Sequence, residues 1–243
     1  MKKAIRHLIP FIALIALFSS CNSIFFGEKI KGEGPVESEF RSIDDFNEIY
    51  VGGSFAVHLI AGKTGQITIK AQKNLLPHIL AEVKNRRLKI GVAKGVSLTS
   101  DAGMTIDVPI GNLSKLTLGG SGKIYSEFQM IADELEVVLS GSGTIDLDLR
   151  ANEIDCELNG SGNIQLTGKT DDLDIDLSGS GTVRASDLIT DNVEAEINGS
   201  GNIHVIANEK IKGRISGSGT LYYSGNPNDK DFKSSGSGSF RAR

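Results

Sequence analysis

Tryptophan is absent from this 243-residue chain, aromatics make up only 6% of it, and the formal charge is −4. No basic stripe or aromatic-interleaved patch is left by which nucleic acid could be held, so nucleic acid is excluded as a partner. Chemistry-bearing motifs are missing too. There is no nucleophile motif, zinc spacing, P-loop or dinucleotide fingerprint. The four histidines, His7, His58, His78 and His204, share no motif spacing. No catalytic residue is assigned, and the chain reads as a non-enzyme. Two-residue hairpin signals are lacking as well, which matters once the repeat below is recognised.

Glycine, by contrast, is abundant, at 29 residues. Much of it lies in a Gly-Ser-Gly tripeptide that recurs at 120–122, 141–143, 160–162, 179–181, 199–201, 217–219 and 236–238. Successive first glycines are 21, 19, 19, 20, 18 and 19 residues apart. A period near twenty is one supersecondary unit copied along an axis.

Aligned on the first glycine, the flanks form columns. Two residues before it stand Leu118, Leu139, Leu158, Leu177, Ile197 and Ile215; four after it stand Ile124, Ile145, Ile164, Val183, Ile203, Leu221 and Phe240. Every apolar offset is even, which is the strand period and puts these side chains on one face. The glycines share that inward face, where they permit a bend or a close backbone approach, and the serine points out. A twenty-residue unit has no room for a crossover helix. The expected fold is an all-β parallel β-helix with coils stacked at ~4.8 Å; an up-and-down barrel or sandwich is the alternative. The polar flanks alternate Asn with Ser or Thr: Ser140, Asn159, Ser178 and Asn198 before the tripeptide, Thr144, Asn163, Thr182 and Asn202 after it. Stacking would join them in a hydrogen-bonded ladder.

At the N-terminus, Lys2, Lys3 and Arg6 precede an apolar run from Leu8 to Phe18, too short to span a bilayer, then Ser19, Ser20 and Cys21. That is a secretory signal. Its end resembles a bacterial lipobox, with Phe18 a departure from the usual small or aliphatic residue. The expectation is a lipoprotein signal over 1–20, a lipid on Cys21 and a flexible tether over 21–39, rich in Gly and charge. The other cysteine, Cys156, falls on the inward parity and reads as a small buried hydrophobe. The folded part is expected over 40–243. Residues 40–112 form irregular first coils and a cap, with a strand over 104–108 closed by Pro109; 113–243 form the regular coils. Phe46-Asn47-Glu48-Ile49-Tyr50-Val51-Gly52-Gly53-Ser54-Phe55 echoes the repeat as a degenerate first coil, with Phe55 in place of the second glycine. Lys230, Lys233, Arg241 and Arg243 bring charge to the far edge.

That opening, the Lys73-Asn74-Leu75-Leu76 segment before Glu82-Val83, and the reiterated Gly-Ser-Gly resemble the putative auto-transporter adhesin head GIN domain family, abundant among Bacteroidota envelope lipoproteins. The resemblance implies a right-handed parallel β-helix on an outer-membrane lipoprotein, at the periplasmic face or the cell surface. It places no catalytic residues.

One pattern invites a binding reading. On the outward parity, five and three residues before the first glycine, stand Glu136, Asp155 and Glu157, Asp174 and Asp176, Glu194 and Glu196; Lys115 lies below and Lys212 and Arg214 above. The plain reading is a solvated acidic face bounded by basic rungs; the sharper one is a Ca²⁺-binding face, since that cation takes several carboxylate oxygens. No other cofactor is expected. The function expected is a non-enzymatic binding or adhesion module, anchored to the membrane, with a glycan or protein ligand on its surface. The alternatives are a polysaccharide lyase- or hydrolase-like enzyme, or a lipid-binding envelope protein, on the same fold.

Overall fold

A computed structural model describes residues 27–243. The expected signal over 1–20 and Cys21 lie outside the described residues. The first block holds β1 (Glu28–Lys31), β2 (Val36–Ser42), β3 (Glu48–Gly53), β4 (Ala56–Ala61), β5 (Gln66–Gln72), a 3-10 turn (Leu76–His78), β6 (Ile79–Lys84), β7 (Arg87–Val92), β8 (Val96–Thr99) and β9 (Thr105–Ile110). The regular coils hold β10 (Lys115–Gly120), β11 (Lys123–Ile131), β12 (Glu134–Gly141), β13 (Thr144–Arg150), β14 (Glu153–Gly160), β15 (Asn163–Gly179), β16 (Thr182–Gly199), β17 (Asn202–Ile206), β18 (Lys210–Gly217), β19 (Thr220–Ser224), β20 (Asp229–Gly236) and β21 (Ser239–Ala242).

The coils stack in parallel as a β-solenoid of about seven turns. One run of strands ends at the first glycine of each tripeptide, and the other starts just after it. In the first run Leu118 pairs with Leu139, Leu139 with Leu158, and Leu158 with Leu177; all four are fully buried. Ile124, Ile145 and Ile164 repeat this in the second run. Removing such a side chain from water stabilises by about 1.5–3 kcal/mol, so the rod is held by its spine of branched residues.

The two glycines of a tripeptide serve different needs. Gly141 has φ +139°, and a Cβ there would strike the Gly120 carbonyl of the coil below. Gly143 lacks that backbone need, but its Cβ would lie 2.7 Å from the Gly122 oxygen and 2.8 Å from Leu118. Coil contact and bend both demand glycine. Unequal repeat lengths are absorbed as bulges: Tyr125 pairs with Asp146 but Gln129 with Asp148, so β11 carries two extra residues.

The degenerate first coil is present. Gly53 pairs with Gly120, and Phe55 is fully buried and accepts a bond from the Lys123 N–H at 2.8 Å. Below it the parallel runs continue for one strand each, β7 under β3 and β9 under β4, and then reverse: β6 is antiparallel to β7, β5 to β9 and β2 to β5. Arg41 of β2 donates to the carbonyls of Ile79 and Leu76 at 2.5 and 2.8 Å, tying the two outermost strands together. The rod is closed at this end.

Three expectations need correction. The tether read over 21–39 is structured from residue 28: β1 pairs with β8 and β2 with β5. Gly32, Gly34 and Pro35 lie in the short connection between β1 and β2, where a Cβ on Gly32 would meet the end of the Gln72 side chain. The strand expected to close at Pro109 runs through it to Ile110; β9 stays paired with β4 to that point, but its pairing with β5 stops at Asp107, so Pro109 lies beyond the end of the ladder on that side. The Asn and Ser/Thr flanks stack in register, yet Asn159 and Asn198 donate to Glu157 and Glu196 on their own strands rather than across coils. Thr220 and Ser239 do meet across coils, at 3.4 Å. At the far edge, Arg243 and Lys230 lie over Tyr222 and Tyr223.

Candidate functional site

The acidic columns form as the repeat dictates. Glu136, Asp155, Asp174 and Glu194 are in register on successive strands, and Glu157, Asp176 and Glu196 lie two residues along. Lys115 closes the first column with an ion pair to Glu136 at 2.6 Å; Lys212 and Arg214 both engage Glu194 at the other end. A third column, Glu134, Glu153 and Asp172, stands beside them. Its odd offset, seven before the glycine, was there to be read. Asp146 and Asp148 belong to the other run of strands.

Electrostatics follow from the stacking. Partial burial, then the carboxylates of Glu194 and Asp155, push the Asp174 carboxyl above its ordinary range. Burial, then Glu196 and Glu157, do the same to Asp176. The hydrogen bond from Lys212 leads the causes that hold Glu194 below it. Beneath, the Cys156 thiol is buried and pushed up to about 12, chiefly by desolvation, so it is unreactive as a nucleophile. Two open grooves run along the face. One, of 210 Å³, is lined by Glu136, Asp155, Glu157, Asp174 and Asp176 with Cys156; the other, of 380 Å³, has Lys210 and Lys212 facing Asp172, Asp174 and Glu194.

Side chains on parallel strands project side by side rather than toward a point. Among the described residues no group of three or more His, Cys, Asp or Glu is disposed to hold a metal ion. The seven residues read as a Ca²⁺-binding face are therefore gathered in columns without forming a coordination sphere. None sits in an apolar cleft; all seven are exposed or half-buried. That is also not the setting of a glycosidase acid, which needs an apolar site to stay protonated.

A second ladder, outward on the other run, was not legible from the repeat. It passes through Asp107, His58, Tyr125, Asp146, Gln165, Arg184, His204 and Tyr222 in register. His58 stacks on Tyr125 and His204 on Tyr222, with centroids 4.7 and 4.5 Å apart. His58 Nδ1 is 3.3 Å from Asp107, which also takes Lys70 at 2.6 Å. Burial, then Arg243 and Arg184, hold His204 below its ordinary value, so it stays neutral at physiological pH. These rings cover one another's faces and brace the sheet. Only offset five after the glycine signals them, and its residue type changes at nearly every coil.

The sequence matches the family described as "Putative auto-transporter adhesin, head GIN domain" over residues 45–227. No curated protein matches. Among solved structures, a putative adhesin from Bacteroides fragilis is similar at TM-score 0.82 and 22% identity, over 88% of this chain and 100% of that one. One from Parabacteroides merdae scores 0.70 at 22% identity, over 89% and 100%; at that identity both likenesses show the fold alone. A structure described as a putative lipid binding protein from Parabacteroides distasonis scores 0.74 at 25% identity, over 89% and 100%.

Proposed function

The chain belongs to the putative auto-transporter adhesin head GIN domain family, and from that membership we propose a non-enzymatic binding or adhesion module, held at the bacterial outer membrane by a lipid on Cys21. The observation that carries the binding reading is the register itself. Coil after coil presents the same outward positions at ~4.8 Å steps, on grooves that are shallow and polar rather than on one enclosed cleft. Such a surface suits an extended, repetitive ligand, a glycan chain or a protein strand, met at several rungs at once. The anchor rests on the sequence alone, on the apolar run and the Ser19-Ser20-Cys21 junction.

The similarity to the Parabacteroides distasonis structure described as a putative lipid binding protein favours a second reading. The spine of this rod is filled by Leu, Ile and Val, so any lipid would be engaged outside it. Probing the purified full chain on glycan and lipid arrays, with reducing-end release measured in parallel, tests both. Retention without turnover supports the module; glycan cleavage would overturn it, and retention on lipids alone would select the second reading.

A further inference from the structure

The β6–β7 hairpin holds features that no binding reading above uses. Residues 84–94 contain Lys84, Arg86, Arg87, Lys89 and Lys94 and no acidic residue. Asn85 and Arg86 turn the hairpin with φ of 51° and 60°. On its outer face an open groove of 340 Å³ is lined by Leu80, Gly91 and Val92 with Lys89, Lys94 and Glu82. Leu80 is 40% exposed there. An aliphatic floor rimmed by cations fits an amphiphile with an anionic head.

The chain enters the described structure at the rim of this groove. The Glu28 N–H donates to the Gly95 carbonyl at 2.8 Å, one residue from Lys94. Six residues lie between Cys21 and Glu28, and the seven steps they span reach only about 25 Å even fully extended. A flexible stretch over 21–39 would have given the anchor a long tether; β1 and β2 remove most of it. Charge points the same way. Residues 27–112 carry eleven Lys and Arg against ten Asp and Glu, a net +1, whereas 113–243 carry twelve against twenty, a net −8. An anionic surface repels the second region, leaves the first nearly indifferent as a whole, and attracts its basic segment 84–94.

We propose that the closed N-terminal end of the rod docks on an anionic lipid surface through the Leu80–Val92 groove and its lysines, so that the coils stand away from the membrane. The inference rests on the lipid anchor at Cys21. Phe40, 65% exposed on β2 at the same end, adds an apolar contact.

The test uses the full lipidated chain in phosphatidylethanolamine–phosphatidylglycerol vesicles, with an environment-sensitive fluorophore on Gly91→Cys or Ser237→Cys. A Cβ at Gly91 makes only an ordinary 3.8 Å contact, Ser237 is exposed in the last tripeptide, and the eight strand steps between β7 and β20 put the two sites about 40 Å apart. Lipid-borne quencher is expected to quench the label at 91 and spare that at 237. Lys89→Glu with Lys94→Glu should reduce quenching at 91 about tenfold while the acylated protein stays on the vesicles. The mass of the intact protein reports the lipid separately. No lipid on Cys21 overturns the anchor and the docking with it. Lipid present with equal quenching at 91 and 237 overturns the docking alone. Shielding of 91 only when other envelope proteins are added assigns the groove to a protein partner and also overturns it.

Discussion

The regular coils and the first block are built from the same alternation of apolar and polar residues, yet they solve different problems. From Leu113 to the last coil but one each coil has a neighbour above and below, so one solution is copied and the glycines recur at fixed offsets. Between Gly27 and Asn112 the stack must stop, and stopping requires strands that run the other way. Antiparallel β2, β5 and β6, the Arg41 bonds across them and the buried Phe55 are the means. Repetition makes a rod; breaking the repetition makes an end.

The contrast is broken most severely in the spine. Leu158→Asp places a charge between Leu139 and Leu177 and is expected to cost about 4 kcal/mol or more, whereas Ser161→Ala, exposed on the outward face of the same coil, should stay within about 0.5 kcal/mol. Denaturant melts of the two variants decide it; similar midpoints would refute the inward and outward assignment. Next in size is a pair of glycines with positive φ. Gly160→Ala meets the Gly141 backbone as well as the unfavourable dihedral and should cost about 3 kcal/mol; Gly95→Ala, with nothing within 4 Å, should cost about 1 kcal/mol. Equal losses would mean that stacking contact is not what the tripeptide provides.

Arg41→Ala probes the end itself. Two carbonyls lose their donor, and a cost of about 1–3 kcal/mol follows, read as faster hydrogen exchange in β2 and β6 with β14 and β15 unchanged. The smallest effect is electrostatic. Asp174 and Asp176 titrate above their unfolded value, so ionising them costs stability. That cost is absent below the unfolded pKa of about 3.9 and grows as pH rises through the folded one. Asp174→Asn with Asp176→Asn should therefore raise the melting temperature by about 1–2 °C at pH 7, and the gain should vanish at acid pH. A gain that persists there would assign the effect to packing.

The same division explains what could be read in advance. Leu118, Ile145 and Gly160 were legible because neighbours in space are about twenty residues apart and the column repeats; so were Glu136 and Asp174, which share the columns. Phe55 was found as a single departure from a known offset. The pairing of Val36–Ser42 with Gln66–Gln72, the His58–Asp107 contact and the Gly95 bond to Glu28 join residues by no constant interval, and no period announces them. Pro109 misled because proline usually ends a strand, and only the point at which the β5–β9 pairing stops shows why it need not here. The acidic face was legible as a set of positions, but whether those carboxylates converge is decided by strand direction, which a list of offsets does not contain.

The near-constant interval of 19 residues between stacked strands also governs assembly. Most contacts join parts of the chain that emerge close together, so loop closure is inexpensive for a protein made almost wholly of strands, and ordering can advance one rung at a time on whatever is already laid down. A lesion in one coil is felt by the coils it touches and fades beyond them, as in a chain of coupled spins rather than a single cooperative block.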